Sequence, residues 1–63
     1  MIKIGDRFFD DKNGRYLTVD GVVCDPKCYS CIQEEPDEND PDDIIVTGKI
    51  LMMRGELEKM IKY

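Results

Sequence analysis

The chain has no histidine and no tryptophan, and one serine in 63 residues. Without histidine, no side chain has an ordinary pKa near neutrality, so acid–base catalysis at pH 7 lacks its usual carrier. Ser30 has no imidazole to activate it, which excludes the common nucleophilic arrangement. A glycine-rich phosphate loop is missing too. Asn13-Gly14 and Thr47-Gly48-Lys49 are isolated fragments without the further glycines that cradle a phosphate. No apolar run exceeds Ile50-Leu51-Met52-Met53, and the opening Met1-Ile2-Lys3-Ile4 has no apolar signal region. The expectation is a cytoplasmic protein with no membrane span. Three cysteines, an odd number, fit a reducing compartment better than a disulfide framework. These absences point to a protein that is not an enzyme and needs no cofactor.

What is present is charge, unevenly placed. Glu34, Glu35, Asp37, Glu38, Asp40, Asp42 and Asp43 lie within ten consecutive residues that also hold Pro36 and Pro41 and no cation. Carboxylates this close repel, and prolines remove ladder donors, so residues 34–43 are expected to form an acidic surface loop. The net charge is −5, but outside this block seven acidic residues face nine basic ones. One loop therefore makes a mildly basic body acidic. The net charge argues against direct nucleic-acid binding and favours a protein partner with a basic surface, or no charged partner at all, the block then being a solvated loop that keeps the chain soluble and shields a sheet edge.

A chain of this length forms one small domain, with room for two thin layers and little space for a deep pocket. Arg7-Phe8-Phe9 follows a short entry segment and is expected as a strand. Asn13-Gly14 supplies the positive-φ pair of a tight hairpin. Arg15 to Cys24 alternates clearly. Leu17, Val19 and Val23 make the better core face, with a bend or bulge expected at Asp20-Gly21. Asp25-Pro26-Lys27 is the next turn. Cys28 to Gln33 is expected as a third strand and Asp43 to Thr47 as a fourth. After the interruption at Gly48, Lys49 to Met53 is expected as a fifth. From Arg54 or Gly55 onward, Leu57, Met60 and Ile61 have the spacing of one helical stripe. Such a helix is too short to persist without docking on the sheet. A longer helix beginning at Thr47 is the alternative, at a cost of roughly 1 kcal/mol for each included glycine.

Five short strands with tight turns suggest a mainly β fold: a small antiparallel barrel closed by a short C-terminal helix. The entry Ile4-Gly5-Asp6-Arg7-Phe8-Phe9, the hairpin Asn13-Gly14-Arg15-Tyr16-Leu17-Thr18-Val19, the polar loop and the closing helix together resemble small SH3-like barrels. Such domains are frequent among short proteins of phages and mobile elements. The resemblance covers most of the chain and implies a binding scaffold without specifying a ligand. The missing tryptophan and the late position of the acidic loop argue against a polyproline-binding groove.

Several constellations carry possible chemistry. Cys24, Cys28 and Cys31 form C-x3-C-x2-C. A structural zinc site normally wants four ligands. With no histidine, a carboxylate such as Asp25 or a water would have to supply the fourth, so core-filling thiols are the favoured reading and a metal module the alternative. Asp37-Glu38-Asn39-Asp40 faintly suggests a calcium loop but lacks its glycine and closing glutamate. Tyr16 and Tyr29, on neighbouring strands, are read first as ordinary cross-strand packing, with an aromatic surface for a partner or for stacked bases as the functional alternative. The favoured function is a non-catalytic regulatory protein that docks on a basic macromolecule through the acidic loop, with Tyr16 and Tyr29 adding contact area. In a mobile-element setting it would inhibit a nucleic-acid-processing system. The alternatives are a nucleotide or nucleic-acid binding module and a cysteine-based metal module. A thin core makes a homodimer plausible.

Overall fold

The computed structural model describes residues 2–24 and 28–62, with Cys24 described by its backbone alone. Strands β1 (Arg7–Asp10), β2 (Arg15–Cys24), β3 (Cys28–Pro36) and β4 (Ile44–Met53) precede helix α1 (Arg54–Glu58) and strand β5 (Ile61–Lys62). They form one antiparallel sheet in the order β4-β3-β2-β1-β5. The fold is mainly β, as expected, but among the described residues the sheet is not closed: β4 and β5 are its two edges.

The β1–β2 hairpin forms around Asn13-Gly14, but through the four-residue connection 11–14, and Asn13 does not share the positive φ expected of the pair. Gly14 has φ 62°, in the left-handed region that favours glycine. In β2, Val19 faces Cys31 while Gly21 faces Ser30, so Asp20 is the extra residue of the expected bulge. A second shift lies between Val22 and Cys24. These irregularities change which side chains point inward. Leu17 and Val19 are buried, but Val23, expected beside them, is 57% exposed. The expected turn at Asp25-Pro26-Lys27 lies outside the described residues.

β3 runs three residues further than the sequence suggests. Glu34, Glu35 and Pro36 pair with Val46, Ile45 and Ile44, so the loop proper is residues 37–43. Repulsion does not unravel the strand because alternate carboxylates point to opposite faces and each finds a donor. Pro36 occupies the last pair, where a missing donor interrupts nothing beyond it. β4 is one strand, not two. Gln33 faces Gly48 and Glu34 faces Val46, which leaves Thr47 as a bulge. Gly48, at φ 156°, absorbs that distortion where a side chain would be strained. The interruption expected at Gly48 is thus a bulge inside a continuous strand.

The helix is also shorter than expected. It spans Arg54–Glu58, and its last turn closes with Lys59 N–H and Met60 N–H donating to the Glu56 and Leu57 carbonyls. Ile61 then leaves the helical stripe and pairs with Phe9, while Lys62 pairs with Phe8. The outer edge of β1 would otherwise stay unpaired, and a β-branched residue suits a strand better than a helix end. The total of five strands stands, but the fifth is Ile61–Lys62.

Phe8, Leu17, Val19, Tyr29, Cys31, Met52 and Leu57 form the core, with Ile2, Ile50 and Met60 packed against it. Beyond Leu17 the same face turns polar at Asp10, Arg15, Gln33 and Glu35. The molecule is elongated, 38 × 18 × 16 Å. Past Tyr16, which faces Glu34, only β3 and β4 pair with each other. The acidic loop therefore sits at the tip of a two-stranded extension away from the core. Among the described residues no helix is long and apolar enough to cross a membrane.

Candidate functional site

The loop at the tip has its own architecture. Asp37 N–H donates to the Asp43 carbonyl at 2.8 Å, closing its base. Asp40 N–H donates to the Asp37 carbonyl at 3.2 Å and Asp43 N–H to the Asp40 carbonyl at 2.9 Å. The Asp37 carboxylate accepts from Asn39 N–H at 3.0 Å, and the Asp40 carboxylate from Asp42 N–H at 3.3 Å. Two successive turns, each held by an aspartate two residues earlier, thus shape the segment. The density of Asp and Asn that the sequence shows as charge also builds the turn.

The seven carboxylates of residues 34–43 divide into two groups. Glu34 lies 3.3 Å from the Arg7 guanidinium, which also covers the Tyr16 ring at 4.6 Å. Tyr16 packs against Phe9 with ring centroids 5.0 Å apart. Glu35 faces the other side of the sheet and accepts from the Gln33 amide and the Thr47 hydroxyl, both at 2.8 Å. Gln33 in turn accepts from Arg15 at 2.6 Å, and Arg15 pairs with Asp10 at 2.9 Å. Asp10, 5% exposed, also accepts from Asn13. A continuous polar chain therefore anchors the base of the hairpin. The remaining group, Asp37, Glu38, Asp40, Asp42 and Asp43, makes no ion pair among the described residues.

At the loop base, Glu35, Pro36, Asp37, Glu38, Asn39, Ile45 and Thr47 line an open concavity of about 350 Å³. Its lining combines the carboxylates of Glu35, Asp37 and Glu38 with the 40% exposed Ile45. Such a lining suits a lysine or arginine, whose aliphatic stem needs apolar contact and whose head needs anions. Ile45, Gln33 and Thr47 join the site only in the folded sheet; no local sequence signal marks Ile45 or Thr47. Continuing the alternation of β3 past Gln33 would have placed Gln33 and Glu35 on one face.

The expected aromatic surface does not assemble. Tyr29 is a core residue, 6% exposed, on the face of Cys31, whereas Tyr16 lies on the opposite face with Glu34. One bulge and the alternation of β2 separate the two rings. The cysteines do not converge either. Cys31 is buried on the inner face, its thiol 4.0 Å from the Tyr29 carbonyl. Cys28 lies on the outer face, 3.6 Å from the Met53 sulfur. A three-residue spacing on a strand puts two side chains on opposite sides. The Cys24 side chain, the third of the alternative metal set, lies outside the described residues. Burial, reinforced by the Asp20 charge, pushes the Cys31 thiol up to about 11.

Compared with protein-family models, curated proteins and solved structures, the chain matches none.

Proposed function

We propose that this chain is a non-catalytic binding protein that docks on a basic surface of another protein through the tip of its β3–β4 hairpin. The carrying observation is the set Asp37, Glu38, Asp40, Asp42 and Asp43. Five carboxylates on a seven-residue loop are held in place by the loop's own backbone and left without cations among the described residues. A prearranged anionic tip loses little conformational freedom on binding and steers a basic partner toward it. The concavity at its base receives a lysine or arginine against Ile45, Glu35 and Glu38. Closely spaced carboxylates can occupy a groove that otherwise holds nucleic-acid phosphates, so an inhibitor of a nucleic-acid-processing protein is the reading we favour. The helical turn between β4 and β5, with β5 returning to β1, supports the likeness to small SH3-like barrels.

The test is charge removal that keeps the turns. Asp37→Asn and Asp40→Asn retain the side-chain acceptors, and Glu38→Gln, Asp42→Asn and Asp43→Asn complete the set. Binding to an arginine-rich peptide, and to a partner captured from lysate, should fall at least about tenfold and lose most of its salt dependence. Unchanged affinity in the neutral variant refutes the proposal.

A further inference from the structure

The long edge of the sheet carries a symmetry that the acidic tip does not explain. Along β3, alternation places Cys28, Ser30, Ile32, Glu34 and Pro36 on one face. Their partners on β4 are Met53, Leu51, Lys49, Val46 and Ile44. The Thr47 bulge reverses the odd–even order of β4, so residues on either side of it share that face. All four apolar members are exposed: Ile44 37%, Val46 64%, Leu51 61% and Met53 48%. Nothing among the described residues pairs with the outer edge of this strand.

We infer that β4 is a self-pairing edge and that its occupant is a second copy of this chain, joined antiparallel about a two-fold axis at Lys49, beside the bulge. That axis sets Ile44 opposite Met53 of the second copy and Val46 opposite its Leu51. The reciprocal contacts repeat on the other side. On the inner face, Ile45 falls opposite Met52 of the second copy, which is already buried in its own core. Every exposed apolar residue on the outer face of the strand gains an apolar partner, and each pairing joins residues on the same face, as an antiparallel ladder requires. Without the bulge, the register that joins these residues would set opposite faces against each other.

The charges permit this arrangement. Lys49 is the strand's one ionic residue and falls on the axis, where it would face Lys49 of the second copy rather than an apolar side chain. Its ammonium is already held by Asp20 of its own chain at 2.9 Å. The two acidic loops lie at opposite ends of a strand pair about 34 Å long, well beyond a screening length of roughly 8 Å at physiological salt. A strand pair without a second layer falls at the low end of specific interfaces, below roughly 1,200 Å². A micromolar dimer is expected, stronger at high salt because each copy carries net charge −5. Binding of the loop to a basic partner has the opposite salt dependence, so the two can be told apart.

Sedimentation equilibrium from about 1 μM to about 1 mM tests it. The wild-type chain should reach a dimer within that range. Val46→Lys should weaken the dimer at least about tenfold, and adding Leu51→Glu on the same chain should restore it, since the new charges meet across the axis. Both positions are more than 60% exposed, and circular dichroism confirms that the variants fold. A wild-type chain still monomeric at about 1 mM overturns the inference. So does a Val46→Lys variant as dimeric as the wild type, a double variant no better than the single, or a chain that stays monomeric and takes up only a strand of another protein.

Discussion

Leu57 is 0% exposed and is the one buried residue of α1, whereas Leu51, six positions earlier on β4, is 61% exposed. Truncating each to alanine removes the same atoms from opposite environments. A fully buried leucine loses both its transfer free energy and its packing, typically about 2–5 kcal/mol. Helix propensity does not add to this loss, since alanine is the better helix former. A 63-residue domain has roughly 3–9 kcal/mol of total stability. Leu57→Ala should therefore remove a large share of it. A loss of about 3 kcal/mol lowers Tm by roughly 12–24 °C in a domain of this size. Leu51→Ala should stay within about 0.5 kcal/mol. Urea unfolding at low protein concentration, where the chain is monomeric, reads both. A Leu57→Ala loss under about 1 kcal/mol, or equal losses in the two variants, would refute the claim that one leucine on a five-residue helix seals the inner face of the sheet.

Two further outcomes follow from the buried ionisable groups. Burial pushes the Asp10 carboxyl up, but hydrogen bonds from Asn13 and Arg15, with the Arg15 charge, outweigh it and hold the group below its ordinary 3.8. A lowered folded-state pKa contributes stability that is fully present above the ordinary value and is lost as pH falls through the folded one. Asp10→Asn should thus reduce stability at neutral pH and flatten its decline in acid, by urea titration at about pH 7 and about pH 3; an unchanged acid slope counts against the anchoring role of the Asp10–Arg15 pair. Cys31, with its thiol raised to about 11, should resist alkylation in the native protein and react on unfolding, as read by peptide mass mapping. Rapid labelling of Cys31 in the folded chain would contradict its place in the core.

The local signals were legible where a few neighbouring residues settle the geometry. Asn13-Gly14 specified its hairpin, Asp20-Gly21 its bulge, and the alternation of Leu17 and Val19 the core face. The site was legible as charge but not as shape. In the sequence, residues 34–43 form a uniform repelling run, yet Glu34 and Glu35 sit in β3 because Arg7 comes from another strand and Thr47 from the opposite side of the hairpin. Those partners are 27 and 12 positions away in the chain, and no local pattern reports them. Tyr16 and Tyr29 looked like neighbours because they lie on consecutive strands, but the register places them on different faces of the sheet.

Composition and order along the chain were sufficient to dictate a small β-rich body, a turn at Asn13-Gly14, a bulge at Asp20-Gly21, and a dense anionic segment near the middle, because backbone preference and charge repulsion act over a few residues. Pairing register lay beyond their reach. Whether Gly48 breaks a strand or bulges within it, whether Ile61 ends a helix or begins β5, and which apolar residues of β4 remain exposed all depend on which edges are open after the rest of the sheet has formed. Hydrogen-bonded ladders join residues distant in sequence, and only the assembled sheet decides which of them meet.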